Sequence, residues 1–577
     1  MDYKEKYEQW RDDPYFDEET RQELKAISAD DNEIKERFYQ DLEFGTAGLR
    51  GIIGAGTNRM NVYVVRKTTQ GLANYIISQN GQDRGVAISY DSRHMSPEFA
   101  QESALCLAAN GIRAYIFDEL RPTPELSFAV RQLGCIAGIN ITASHNPSNY
   151  NGYKVYWEDG AQITPPHDTG IMAQVKAVTD FANVHTMAKE EAVKAGLYKV
   201  IGSEIDDVYI EQLKKQVKNP EIIKDYADQI NIVYTPLHGT GNKLARRILK
   251  EIGFKNVHVV PEQELPDGDF PTVSYPNPEA EEAFELGLSL AKKLDADLVL
   301  ATDPDADRLG CRVRDSQGVY HTLTGNMSGC LLAEYTISQI AAKQGLPADG
   351  ALIKTIVTTN MADAIARNYG IDLIECLTGF KYIGQQILKF ETTGKGTYLF
   401  GFEESYGCLI GTHARDKDAI VAVMALAEAA AYYKSKGMNL WDAMLAMYEK
   451  YGYYKDDIKS VSMSGIAGQQ KIQSIMDTLR QNPPAQIGGY KVTAVRDYKK
   501  DIITDTASGQ TRSTGLPTSN VLYYDMEDDA WVCVRPSGTE PKVKFYYGIK
   551  GSSLEDADAK SEALGSAVLA MIDTMGI

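Results

Sequence analysis

A recurring unit constrains this chain more than any other feature of its sequence. The unit is a short apolar run, a polar loop, a helical stretch and a second short apolar run. Val86–Tyr90 ends in Asp-Ser-Arg, and Ser96-Pro97-Glu98 then reads as an N-cap, an N1 proline and an acidic first turn. That helix runs to Asn110-Gly111, and a strand follows over Ile112–Phe117. The order returns at Ile232–Tyr234, a helix to Gly253 and Val257–Val260, and again at Leu352–Val357, a helix to Gly370 and Ile371–Cys376. Strands alternating with helices imply right-handed βαβ crossovers and parallel sheets. The expected fold is α/β, with three related α/β domains of mixed, mostly parallel sheets.

The remaining segments read differently. Residues 1–40 are charged with helical spacing and read as a solvated N-terminal helical extension. The three domains are expected over 41–205, 206–325 and 326–451. The stretch 452–520 is polar and rich in Gly and Pro, and reads as a linker or insertion. From 521 to 577, strand-like runs at Ala530–Val534 and Val543–Tyr546 precede a helix after Leu554, which predicts a smaller α+β C-terminal domain.

A chain of 577 residues buries large cores without disulfide or metal staples. Its 60 Lys and Arg against 79 Asp and Glu leave a net charge of −19. With no basic run, that balance argues against nucleic-acid binding. Screening beyond about 8 Å still lets a local Arg/Lys cluster hold a phosphate. The opening MDYKEKYEQW lacks the apolar region of a signal peptide, and the longest apolar run, Ala419–Ala427, is too short to span a bilayer. The seven cysteines are scattered without a C-x-x-C pair and read as reduced core thiols. A cytoplasmic protein without a membrane partner is expected.

Four unusual loops fall at strand ends, where ligands bind in doubly wound sheets. Ile139–Ile141 leads into Thr142-Ala143-Ser144-His145-Asn146-Pro147, where Ser144 reads as a nucleophile or as part of an ordinary turn. Leu298–Ala301 leads into Thr302-Asp303-Pro304-Asp305-Ala306-Asp307-Arg308. Pro304 favours extended backbone, which places Asp303, Asp305 and Asp307 on one side. Two carboxylates about 5 Å apart repel by about 3 kcal/mol at an effective dielectric of about 20, so three call for a divalent cation. An EF-hand lacks its glycine here (Arg308) and its final glutamate (Arg314), and the small carboxylate set suits Mg²⁺. A solvated acidic turn is the competing reading.

The third loop, Phe400-Gly401-Phe402-Glu403-Glu404-Ser405, offers Glu403 and Ser405 to sugar hydroxyls, or else caps a helix start. Nearby His413, Arg415 and Lys417 read by themselves as surface. The fourth, Val534-Arg535-Pro536-Ser537-Gly538-Thr539-Glu540-Pro541-Lys542, combines Arg, Lys, hydroxyls and backbone N–H groups into a phosphate cradle, with a surface turn as the alternative.

Together the four loops resemble those of the α-D-phosphohexomutase superfamily, in that family's order, from about Phe44 to the C-terminus. Phe44–Gly51, Gly56–Met60, Leu377–Lys381 and the Glu403-Glu404-Ser405 loop look like the longer phosphoglucomutase/phosphopentomutase branch. The resemblance implies four domains arranged around a central cleft, Ser144 as the phosphoserine, and Mg²⁺ on Asp303, Asp305, Asp307 and a Ser144 phosphate oxygen. Lys154, His145 and Lys417 become acid/base candidates, and Arg50 and Arg308 stabilise the transferring group. Thr378, Gly379 and Lys381, with Glu403 and Ser405, would read the sugar. Arg535, Ser537, Gly538, Thr539 and Lys542 would hold the non-reacting phosphate. Phe380 stands where some members carry histidine.

The implied reaction converts glucose 1-phosphate to glucose 6-phosphate through a glucose 1,6-bisphosphate intermediate, which also serves as activator. Phosphopentomutase and phosphomannomutase activities are the alternatives on other sugars. A phosphatase and a non-catalytic phosphosugar-binding protein are the competing classes. The implied partner is a small phosphosugar, and the implied assembly a monomer or weak homo-oligomer.

Overall fold

Four adjacent strands of the first sheet are parallel, as the repeated unit requires. The computed structural model describes residues 2–43, 48–463, 465–537 and 542–574. Across the first sheet the order is Leu49–Ile52, Tyr150–Trp157, Ala137–Ile141, Val86–Tyr90, Ala114–Phe117 and Tyr198–Ile201. Tyr150–Trp157 alone runs antiparallel to both of its neighbours, Leu49–Ile52 and Ala137–Ile141, and the other strands share one direction. In the second sheet Leu298–Thr302, Ile232–Thr235 and Val257–Val259 are parallel, and Leu309–Arg314 turns back antiparallel onto the first of these. In the third, Gly350–Thr355 lies parallel to both Asp372–Cys376 and Thr397–Glu403.

The chain divides into two compact units. The first comprises Met1–Thr322, Gly384–Thr392 and Gly407–Gly437; the second comprises Leu323–Ile383, Thr393–Tyr406 and Met438–Ile577. Helix Ala419–Ser435 therefore belongs with the second sheet's helices Pro220–Tyr226 and Gly241–Ile252, although it follows the third sheet in sequence. Residues Ala419–Ala431 of this helix are buried all round, which accounts for its unbroken apolar run.

The N-terminal segment is not a solvated lead-in. Helices Tyr3–Asp12, Glu18–Ala26 and Asp31–Phe38 bury Tyr7, Trp10, Leu24, Ile34 and Phe38 in the core of the first sheet's domain. Trp10 stacks on Phe16 at 4.2 Å between ring centroids and meets Tyr63 edge-on.

The stretch 452–520 is not a linker either. Tyr453–Ser462 pairs along its whole length with Lys542–Gly551, and Tyr490–Asp497 pairs with Leu522–Met526. These strands form one antiparallel sheet with Trp531–Pro536, and helices Gly465–Gln481 and Leu554–Thr574 flank its core. Along the edge strand Tyr453–Ser462 only Tyr454 is buried and the other residues are half-buried or exposed, which thinned its apolar signal.

One cap reading is also corrected. Met95 (φ 64°) is the N-cap of helix Ser96–Ala109, and the Ser96 hydroxyl instead donates to Asp91 Oδ1 at 2.8 Å. All seven cysteines are free and buried, as expected of core thiols. No helix among the described residues is long and apolar enough to cross a membrane.

Candidate active site

In the first unit, strand ends bring the predicted groups together. Ser144 follows Ala137–Ile141 and sits at φ 52°, in the left-handed region that few non-glycine residues adopt. Its hydroxyl donates to Asp303 Oδ2 at 2.9 Å and lies 3.2 Å from His145 Nδ1. Asp303, Asp305 and Asp307 are buried, and each offers a carboxylate oxygen within 4.8 Å of the others'.

The triad converges differently from the extended backbone expected of it. Residues 304–306 form a turn with Ala306 at φ 50°, and Asp303 Oδ1 accepts the backbone N–H groups of Asp307 and Arg308 at 3.2 and 3.1 Å. A neighbouring loop backs this turn. Thr240 N donates to Pro304 O at 2.8 Å, and a side chain at Gly239 would come within 2.4 Å of Pro304 Cα.

The surrounding cations come from separate strands and loops. Lys154, on Tyr150–Trp157, places Nζ 2.7 Å from Asp305 Oδ2 and 3.7 Å from Asp307 Oδ2. Lys417 reaches Asp307 Oδ2 at 3.1 Å and Asp416 at 3.3 Å. Arg308 pairs with Glu279 at 2.7 Å, and Arg50 donates to Asn146 Oδ1 at 2.9 Å. The surface reading of the 413–417 cluster is overturned: His413 and Arg415 are buried, paired with Asp418 and Glu391.

Burial acts on the three aspartates and on His145. It raises Asp303 well above the carboxylate range, helped by the charges of Asp305 and Asp307. It raises Asp307 too, with Asp305 adding and Lys417 opposing. For Asp305 the same burial is outweighed by Lys154 and Thr123, which hold the carboxylate ionised. Burial, then Arg308 and Arg50, press His145 well below its usual range, so its imidazole is neutral at pH 7.

This donor set fits a hard divalent cation. Asp305 Oδ1 and Asp307 Oδ1 are buried without a hydrogen-bond partner, so a ligand-ready oxygen remains on each.

Sequence reasoning missed several supports. Thr123 donates to Asp305 Oδ2 at 2.7 Å through its hydroxyl, and its backbone N–H reaches Asp305 O at 2.8 Å. Asn140 in turn donates to Thr123 Oγ1 at 2.6 Å. Arg93 lies in the Asp-Ser-Arg that ends Val86–Tyr90, the one available signal, since the other functional loops also begin at strand ends.

In the second unit, Glu403 is the last residue of strand Thr397–Glu403, not the start of a helix, and its carboxylate accepts the Ser405 hydroxyl at 2.8 Å. Thr355 Oγ1 donates to Glu404 Oε2 at 3.2 Å. Thr378 Oγ1 is buried without a hydrogen-bond partner, beside Gly379 at φ 119°. Lys381 places Nζ 5.5 Å from the centroid of the Tyr382 ring, and Phe380 is buried. Arg535 lies one residue before the end of strand Trp531–Pro536, Lys542 opens the next, and Ser537 N donates to Lys542 O at 2.7 Å. Gly538 and Thr539 lie outside the described residues.

A serine hydroxyl against a buried carboxylate triad, ringed by lysines and arginines, is the equipment of a metal-assisted phosphoryl-transfer enzyme. Residues 41–181, 207–318 and 324–451 match, in turn, alpha/beta/alpha domains I, II and III of phosphoglucomutase/phosphomannomutase, and the chain belongs to that family. It is 37% identical over 529 residues to a phosphoglucomutase of Staphylococcus saprophyticus, covering 91% of this chain and 94% of that one. A phosphoglucomutase of Staphylococcus aureus is 37% identical over 534 residues, covering 92% and 94%.

Two solved structures share the fold. The Paramecium phosphoglucomutase pp63/parafusin has a TM-score of 0.66 at 19% identity, covering 92% of this chain and 95% of that one. A phosphoglucomutase/phosphomannomutase family protein of Burkholderia thailandensis has a TM-score of 0.61 at 20% identity, covering 91% and 97%.

Proposed function

We propose that the chain is a phosphoglucomutase, an isomerase that interconverts α-D-glucose 1-phosphate and glucose 6-phosphate. The observation that carries the reading is the buried Ser144 hydroxyl held 2.9 Å from Asp303 within the three-carboxylate cluster. The choice of glucose is supported by the relatives named phosphoglucomutase at 37% identity along almost the whole chain.

Phosphoserine 144 gives its phosphoryl group to the free hydroxyl of a glucose monophosphate. The Ser Oγ–P bond breaks, a sugar O–P bond forms, and the intermediate is glucose 1,6-bisphosphate. The other phosphoryl group then returns to Ser144 by the reverse step. In the first transfer the sugar hydroxyl loses a proton and the serine oxygen gains one; the return transfer takes that proton from the serine and leaves one on the sugar oxygen that gave up its phosphoryl group. Neutral His145, 3.2 Å from Oγ, is placed to exchange a proton there, and Lys154 and Lys417 are the further acid/base groups. Mg²⁺ held by Asp303, Asp305 and Asp307 with a Ser144 phosphate oxygen would neutralise charge on the phosphoryl oxygens. Arg50 and Arg308 add fixed positive charge for the same oxygens. Glu403, Ser405 and the Thr378–Gly379–Lys381 turn are assigned to the sugar hydroxyls. Arg535, Ser537, Gly538, Thr539 and Lys542 are assigned to the phosphate that does not react.

Phosphorus NMR of the protein with Mg²⁺, glucose 1-phosphate and a trace of glucose 1,6-bisphosphate tests this reading. Glucose 6-phosphate without free phosphate is expected. Free phosphate as the main product would make the protein a phosphatase, and an unchanged spectrum would move the substrate to ribose 1-phosphate.

A further inference from the structure

Arg93 is buried completely, yet it touches none of the three aspartates that the site reading uses. Its guanidinium instead turns into the loop that carries Ser144. Nη2 donates to Ser144 O at 2.6 Å and to Asn146 O, while Nη1 donates to Pro147 O at 2.7 Å and Tyr150 O at 3.1 Å. One rigid fork thus gathers four carbonyls from seven consecutive residues, a geometry that a lysine ammonium does not match. The other face of the guanidinium lies 5.0 Å from the ring centroid of Phe270, from the second sheet's domain in the same unit.

Asp91 closes the arrangement. Its Oδ2 lies 3.3 Å from Arg93 Nε and accepts the Thr142 hydroxyl at 2.6 Å. Thr142 Oγ1 in turn accepts the backbone N–H of Ser144 at 2.8 Å. A continuous ring therefore runs from Ser144 N–H through Thr142 and Asp91 to Arg93 and back to Ser144 C=O. Both peptide groups of the nucleophile are tied to one buried ion pair. Ser144 itself sits at φ 52°, a conformation that persists only when its surroundings over-determine it.

We propose that Arg93, with Asp91 and Thr142, is a positioning device for the reaction. The ring holds Ser144 in its left-handed conformation so that Oγ keeps its place at the site through the two phosphoryl transfers. Arg93 and Thr142 contact neither substrate nor metal in this role; they act through the Ser144 backbone. The proposal rests on the reading that Ser144 carries the phosphoryl group.

The test uses the full chain with Mg²⁺, glucose 1-phosphate and a trace of glucose 1,6-bisphosphate. Thr142→Val keeps the shape and removes the hydroxyl, Thr142→Ser keeps the hydroxyl, and Arg93→Lys keeps the charge but not the fork. Thr142→Val and Arg93→Lys are expected to lower kcat on the order of 100-fold, the scale of a small misplacement of a reacting atom. KM for glucose 1-phosphate should stay within about twofold, since substrate contacts are untouched. Thr142→Ser should recover the rate.

Folded Thr142→Val with a kcat near wild type would overturn the proposal. So would an equal loss in Thr142→Val and Thr142→Ser, because the hydroxyl would then not be the cause. If Arg93→Lys fails to fold, the Thr142 pair decides alone. Ser144→Ala is measured alongside: turnover by that variant would sink the serine reading itself, a result separable from failure of the ring.

Discussion

Under the proposed function the loop that carries Ser144 and the loop that carries Arg535 both handle phosphate, yet they hold their polar groups in opposite ways. Around Ser144, the aspartates, Lys154 and Arg93 are all buried, and opposite charges lie 2.7–3.7 Å apart. Arg535, Ser537 and Lys542 are only half-buried. The difference follows from what each loop is asked to do. Moving a phosphoryl group needs fixed charges in a dry, low-dielectric setting, where they act strongly without reorganising. Gripping and releasing a phosphate at each turnover needs groups that exchange with water. Burying them as deeply would leave uncompensated charge between turnovers.

Substitutions on the two sides should therefore split into effects on rate and effects on affinity. The largest effect is expected from Ser144→Ala, which should abolish turnover while glucose 6-phosphate still binds by calorimetry. Turnover by that variant would break the comparison at its first side. Asp305→Asn removes the negative charge that Lys154 and Thr123 face and should lower kcat by about 100- to 1,000-fold in steady-state kinetics. Chelation of divalent ions should likewise suppress activity, and added Mg²⁺ should restore it.

On the second side, Arg535→Lys loses a bidentate fork and should raise KM about tenfold with a smaller change in kcat. Glu403→Gln should act similarly, because its carboxylate is assigned to sugar hydroxyls. A fall in kcat alone for either variant would erase the distinction.

The smallest effect concerns Asp456, in the second unit's edge strand. Burial pushes its carboxyl up to about 6, against the Thr359 hydroxyl and Lys354. A carboxyl raised in the folded state contributes stability that is complete below its ordinary value and lost as pH rises through about 6. Between pH 4 and pH 7 the wild type should therefore lose a few degrees of Tm relative to Asp456→Asn. Parallel Tm profiles for the two proteins would show that this carboxylate is already compensated.

Much of this was readable before any coordinates. The strand–loop–helix rhythm at 86–117, 232–260 and 352–376 announced parallel sheets, because helices that cover both faces of a sheet leave short apolar strands between amphipathic segments. Ser144 and the three aspartates stood out because strand ends rarely collect such groups without a use. The edge strand Tyr453–Ser462 was lost because its mostly half-buried and exposed residues lack the apolar run on which strand recognition depends. The N-terminal segment reads as solvated because its aromatic residues, such as Trp10 and Phe16, are scattered among charges and meet only in space.

Local sequence thus determined which loops carry chemistry and what kind of sheet presents them, since periodicity and residue type act over a few neighbours. Tertiary structure alone decided that a turn, not an extended strand, gathers Asp303, Asp305 and Asp307, and that the segment with Lys417 packs in the unit of Asp307. It alone decided that Arg93 closes a ring on Ser144. The pairings of Arg93 with Ser144 and of Lys417 with Asp307 join residues about 50 to 110 positions apart in the chain, and burial selects among such distant pairings by leaving no polar group the option of water.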